Sequence, residues 1–270
     1  GQITAAAYLL FGENPQVQFP EAYVRVIRYR GIERGTGRSQ QVLRDTRLEG
    51  HIPRILHDAA EEIRALQPVR RALGQSGRFE GEHLIPEDAW LEGLVNAVVH
   101  RSYSIGGDHV RVEIFDDRIE LESPGRFPGI VNPKDPLKIT RFARNPRIAR
   151  VCADLDFGQE LGEGIRRIYS EMRAAGLGDP LYRQTAASVH LTLSSMAVDR
   201  ELLDRLPARS GEILAALRQA ERMSTGDLAE VLDITRPSVL VRLRILQHEG
   251  LIEWVGTSPK DPRAYWRIRR

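Results

Sequence analysis

The run from Met223 to Arg270 leaves the chain few ways to fold. Ser224-Thr225-Gly226-Asp227 is a helix-capping sequence that opens a short helix, Leu228 to Leu232. A serine hydroxyl there takes up a backbone N–H that the first helical turn leaves unpartnered. Asp233-Ile234-Thr235 has room only for a tight turn. Thr235 then caps a further helix with Pro237 just inside its start, and Gly250 ends it. Val239, Leu243 and Leu246 predict the buried stripe of that helix, with Val241 and Ile245 beside it. Two strands follow, Leu251 to Val255 and Ala264 to Ile268, around a tip from Gly256 to Arg263. Upstream, Ser210-Gly211 precedes a helix that begins at Glu212.

This order of elements resembles the winged helix-turn-helix DNA-binding domain of many bacterial transcription regulators, and the resemblance covers Ser210 to Arg270. It implies double-stranded DNA as a partner. The third helix would enter the major groove, about 12 Å wide, with its N-terminal residues at the base edges. Candidate DNA contacts are Thr235, Arg236, Ser238, Arg242 and Arg244 on the helix, with Lys260 and Arg263 on the wing. A homodimer is expected, because such regulators read paired half-sites. The competing reading is a winged helix that serves protein contacts only, since a fold alone does not fix function.

Charge bears on this. Lys+Arg of 39 against Asp+Glu of 37 leaves a net charge of +2, so affinity for nucleic acid has to come from a local basic patch. Cys152 is the only cysteine, which excludes a disulfide framework. The seven histidines are scattered without zinc-binding spacing. No apolar run reaches the ~18 residues of a membrane span and no signal peptide opens the chain, so a cytoplasmic location is expected. The start at Gly1-Gln2-Ile3-Thr4 falls mid-pattern and leads us to expect a preceding N-terminal domain.

Residues 1–196 predict a two-layer α/β sandwich, residues 197–210 a helical linker and residues 211–270 the winged domain, α+β in class overall. Helices are predicted at Ala5–Phe11, Ile52–Leu66, Pro86–His100, 145–154 and 159–175. Strands are predicted at Tyr23–Tyr29 and Ser188–Leu193. A hairpin is predicted from His109–Phe115 and Arg118–Glu122, turning at Asp116-Asp117. Gly31–Gly37 and residues 124–141 read as loops, the second long enough to be a lid.

The helix before His100 carries the chemistry. Glu92 and Asn96 are four residues apart and project from one face, with His100 a turn further, while Leu94, Val95, Val98 and Val99 cover the buried side. A carboxylate and a carboxamide so placed can activate water and hold Mg²⁺ beside a nucleotide phosphate. Glu-x-x-x-Asn-Ala-x-x-His resembles the N box of the Bergerat-fold ATPases. The stretch Ala5–Leu193 resembles a divergent branch of them, known as RecG-related helicase C-terminal and usually found after an AlbA-like, Schlafen-type domain. The matching pieces include Leu94–Ser104, Ile114–Glu120, Ser123-Pro124-Gly125, Arg144-Asn145-Pro146 and Gly162-Glu163-Gly164-Ile165.

That resemblance implies ATP and Mg²⁺ as cofactors. Glu92 would be the base, Asn96 the magnesium ligand, and His100, Glu122, Gly125, Gly162 and Gly164 further cofactor-binding positions. Glu122-Ser123-Pro124-Gly125-Arg126 stands where the family carries an Asp-x-Gly-x-Gly box that reads adenine. No Walker A sequence is present, which excludes a helicase motor. Three functions fit: a DNA-binding transcriptional regulator with a nucleotide-binding-like sensor domain, a Mg²⁺-dependent ATPase, and an interaction scaffold with neither activity.

Overall fold

The computed structural model describes residues 3–35, 37, 40–73, 79–128, 135–138, 142–157, 163–198, 206–258, 261 and 263–269. Expectations that fall on Gly162, on Lys260, on most of the 197–210 linker and on much of the 124–141 loop lie outside them. The chain divides into two compact units, Gly1–Ala197 and Val198–Arg270. No helix among the described residues is long and apolar enough to cross a membrane.

The first unit is a six-stranded sheet with helices on one face. In chain order its elements are α1 (Ala5–Phe11), β1 (Val24–Tyr29), β2 (Val42–Leu48), α2 (Ile52–Leu66), β3 (Val69–Leu73), β4 (Phe79–His83), α3 (Glu87–Val99), β5 (Val110–Ile114), β6 (Arg118–Pro124), α4 (Pro146–Asp154), α5 (Gly164–Ala174), β7 (Leu181–Gln184) and β8 (Ser188–Ser194). The sheet runs β2-β1-β5-β6-β8-β7, while β3 and β4 form a separate hairpin. Only the β1–β5 pairing is parallel; the other pairs in the sheet are antiparallel.

Alternation along the strands sorts the side chains. Val24, Val26, Val110, Val112, Ile114, Ile119, Leu121, Leu191 and Leu193 enter the core beneath the helices. Residues one place along, such as Arg111, Glu120 and Glu122, fall on the opposite face, where Arg111 pairs with Glu122 across the strands. On α2, Ile52, Ile55, Leu56, Ala59 and Ile63 are buried at helical spacing, and His51 caps its start by accepting from the Arg54 amide at 3.2 Å. By contrast α3 is buried on almost every side, from Ala89 to Val99. A polar side chain in a helix enclosed in this way needs a hydrogen-bond partner.

The second unit contains α6 (Ser210–Ala220), α7 (Thr225–Leu232), α8 (Arg236–His248), β9 (Ile252–Val255) and β10 (Tyr265–Ile268). Ser224 and Asp227 form a reciprocal capping box at the start of α7. Ile213, Leu217, Leu228, Leu232, Val239, Leu243, Leu246, Ile252 and Trp266 build its separate core. Trp266 also donates from Nε1 to Thr225 Oγ1 at 3.0 Å, fixing the wing against α7.

Candidate functional site

Glu92 is a buried carboxylate, 8% exposed, in a helix with little polar company. Its partner is Asn96, whose Nδ2 donates to Glu92 Oε1 at 2.9 Å. Burial raises the carboxyl pKa above its ordinary range, although the Asn96 bond and the Arg167 charge oppose the shift. His100 closes the helix. Burial, with the nearby Arg144 charge, pushes its pKa down to about 4, and Nδ1 is buried without a hydrogen-bond partner among the described residues.

Gly164, at the first turn of α5, lies directly over the pair. A Cβ there would sit 2.0 Å from Glu92 Oε1 and 3.1 Å from Asn96 Nδ2, so no larger residue fits while both keep their places. Gly125 has φ +116°, a conformation open to glycine, and a Cβ on it would press to 3.0 Å from Ser102 Cβ. That turn lets β6 end close against the segment following α3.

These residues line a cavity of about 340 Å³, within the size range of small-ligand pockets. Glu92, Asn96, His100 and Gly164 mark its polar part, while Leu121, Val189, Leu191 and Tyr182 contribute walls against which a flat ring could lie. A carboxylate, a carboxamide, an unpartnered imidazole nitrogen and a backbone cradle beside apolar walls fit a nucleotide with its cation.

Glu122 does not take part, which corrects the sequence-based assignment. It points to the other face of the sheet, where it pairs with Arg111 at 3.1 Å and with His190 Nε2 at 3.2 Å. The strand alternation that carries Leu121 into the core carries Ser123 in as well. Ser123 lines the cavity and donates its hydroxyl to the Ala97 carbonyl at 2.6 Å. Period-two counting from Leu121 would have found it. Arg144 and Asn145 also have a positioning role. Arg144 Nε donates to the His100 carbonyl at 3.1 Å, and Asn145 Nδ2 to those of Val99 and Arg101 at 2.8 Å each. Together they hold the end of α3 against the start of α4.

In the second unit, Thr235 caps α8 by accepting from the Ser238 amide at 3.4 Å. The helix carries three arginines and no carboxylate. They do not share one face. Counting 100° per residue from the buried stripe, Arg236 and Arg242 fall on its two flanks, and Arg244 falls on the far side. The Arg236 guanidinium lies against Gly226 on α7. Arg242 donates to the Ala208 carbonyl at 2.9 Å and to that of Ser238 at 2.8 Å, so its guanidinium is turned into its own unit. Arg244 and Arg263 are exposed. Val241, expected beside the buried stripe, is 57% exposed. It lies two residues from Val239, a rotation of about 200°, which places it opposite the core.

Comparison with known proteins gives each unit a relation. Residues 107–193 match the family described as "Putative ATP-dependent DNA helicase recG C-terminal", a span that includes Gly125 and Gly164 and starts after Glu92 and Asn96. Residues 210–255 match the family described as "Helix-turn-helix domain". No curated protein matches the chain. Among solved structures, the crystal structure of the DIP2311 protein from Corynebacterium diphtheriae has a similar fold, with a TM-score of 0.61 at 19% identity. The alignment covers 100% of this chain and 55% of that one, so this chain spans little more than half of that protein. The chain thus joins a segment that matches the RecG-related C-terminal family to a C-terminal winged helix-turn-helix domain.

Proposed function

We propose that this protein is a cytoplasmic DNA-binding transcriptional regulator whose first unit senses a nucleotide and whose second unit reads DNA as a homodimer. The observation that carries the reading is the meeting of Glu92, Asn96 and Gly164 at one end of the cavity, in a chain that also carries a helix-turn-helix. Because Asn96 commits Nδ2 to Glu92, its Oδ1 is the acceptor left for a divalent cation. Magnesium would supply charge neutralisation of the phosphates, and the apolar walls would hold the base. The carboxylate-free α8 suits the polyanionic groove. The test is DNA affinity of the full chain, followed by fluorescence anisotropy across a salt series with and without Mg²⁺–ATP. A nucleotide-dependent affinity supports the reading; identical curves contradict it.

One observation favours catalysis as a second reading. The buried Glu92 carboxylate has a raised pKa and an Oε2 with no hydrogen-bond donor on it among the described residues, properties that suit a general base that takes a proton from water. Phosphate release from ATP that disappears in Glu92→Ala would favour a Mg²⁺-dependent ATPase.

A further inference from the structure

The outward face of α8 is where the structure departs most from what its residue types suggest. Pro237, Val241, Arg244 and His248 follow one another at i, i+4, i+7 and i+11, opposite the buried Val239, Leu243 and Leu246. Arg242 is bound to the Ala208 and Ser238 carbonyls, and Arg236 lies against Gly226, so neither dominates this face. At its centre, in the second turn of the helix, stands an apolar side chain that is 57% exposed.

We propose that Val241 reads the 5-methyl group of a thymine in the major groove, an inference that rests on the DNA-binding function proposed above. Val241 is the sixth residue of α8 and so lies in the N-terminal half, the part that a recognition helix presents to base edges. It has no donor or acceptor. Placed against the N7, O6, N4 or N6 of a base it would strip water from a polar group and return nothing. The thymine methyl is the apolar group that the major-groove edges offer. A β-branched side chain in a helix is nearly fixed at χ1, so Val241 loses little freedom on contact. The helix around it carries three arginines and no carboxylate, which complements the phosphates on either side of the groove, and Arg244 lies one turn further on the same face.

The test begins with selection of binding sites from a random duplex library by the full chain. Each thymine of the selected site is then replaced singly by deoxyuridine, which removes the 5-methyl and leaves base pairing unchanged. Wild-type protein is expected to lose about fourfold in affinity at one thymine per half-site, the scale of one buried methyl. Val241→Ala should bind the thymine and deoxyuridine duplexes equally, with an unchanged melting temperature and salt dependence. Val241 is exposed, so the variant keeps the core of its unit. The proposal is overturned if no thymine methyl matters to the wild type, or if the dependence persists in Val241→Ala. It is also overturned if Val241→Ala changes the association state of the protein while binding the selected site as the wild type does. Failure of the library to yield any site removes the DNA-binding function itself, an outcome distinct from binding without methyl dependence.

Discussion

Asn96 Nδ2 donates to Glu92 Oε1 at 2.9 Å, one turn back along α3, and Gly164 closes over both from the start of α5. Two polar side chains are thereby bonded to each other within the buried part of α3. A buried carboxylate costs several kcal/mol unless it has partners, and the Asn96 bond offsets part of that cost.

The Gly164 contact gives a steric prediction. Gly164→Ala places a Cβ 2.0 Å from Glu92 Oε1, which forces the carboxylate or the start of α5 to move. We expect a loss of roughly 1–3 kcal/mol in urea unfolding, the usual cost of overpacking. Glu92→Ala in the same chain should recover most of it. A Gly164→Ala protein as stable as the wild type would contradict the close approach.

His100 and Glu92 give opposite pH dependences. The His100 pKa is held to about 4, below the ordinary 6.5, so between those values the folded chain binds fewer protons than the unfolded chain. Its contribution to stability is complete above pH 6.5 and is lost as the pH falls towards 4, on the order of 3 kcal/mol. The Glu92 pKa is raised instead, so its contribution is complete at acid pH and is lost as the pH rises through the folded value. His100→Asn should flatten the acid limb of a stability–pH profile, while Glu92→Gln should raise the melting temperature at pH 8 and not at pH 4. Parallel profiles for all three proteins would show that neither group titrates from a buried position.

The arginines of α8 should separate by role. Arg242 holds two backbone carbonyls, so Arg242→Ala should destabilise the second unit by about 1–2 kcal/mol in thermal unfolding. Arg244 is exposed, and Arg244→Ala should leave stability unchanged while lowering the slope of log K against log salt by about 1. Equal melting temperatures for the two variants would refute the distinction.

Much of the fold was legible because its elements carry strong periodicity. The α2 stripe, the capping sequence of α7, the Thr235 cap and the β5–β6 hairpin all follow from spacing in the chain. What escaped notice was weakly patterned. β2 is an edge strand, Val-Leu-Arg-Asp-Thr-Arg-Leu, exposed along most of its length, and without a buried face it shows no alternation. β7 is four residues long, too short for a period to stand out. Around the cavity, the spacing of Glu92, Asn96 and His100 is legible as helix periodicity, whereas Gly164 is named only through the family resemblance. Ser123 against Glu122 depended on strand phase, where a shift of one residue reverses the face. The roles of Arg242 and Val241 depended on helix phase and on which carbonyls lay within reach.

The most direct test of the central claim is titration calorimetry of the full chain with a non-hydrolysable ATP analogue and Mg²⁺, using Asn96→Ala as the control. The account predicts saturable binding by the wild type, weakened at least tenfold in Asn96→Ala, because the variant loses both the cation acceptor and the partner of Glu92. Absence of binding heat in the wild type, together with an unchanged melting temperature at saturating nucleotide, would contradict it and leave the first unit without a nucleotide to sense.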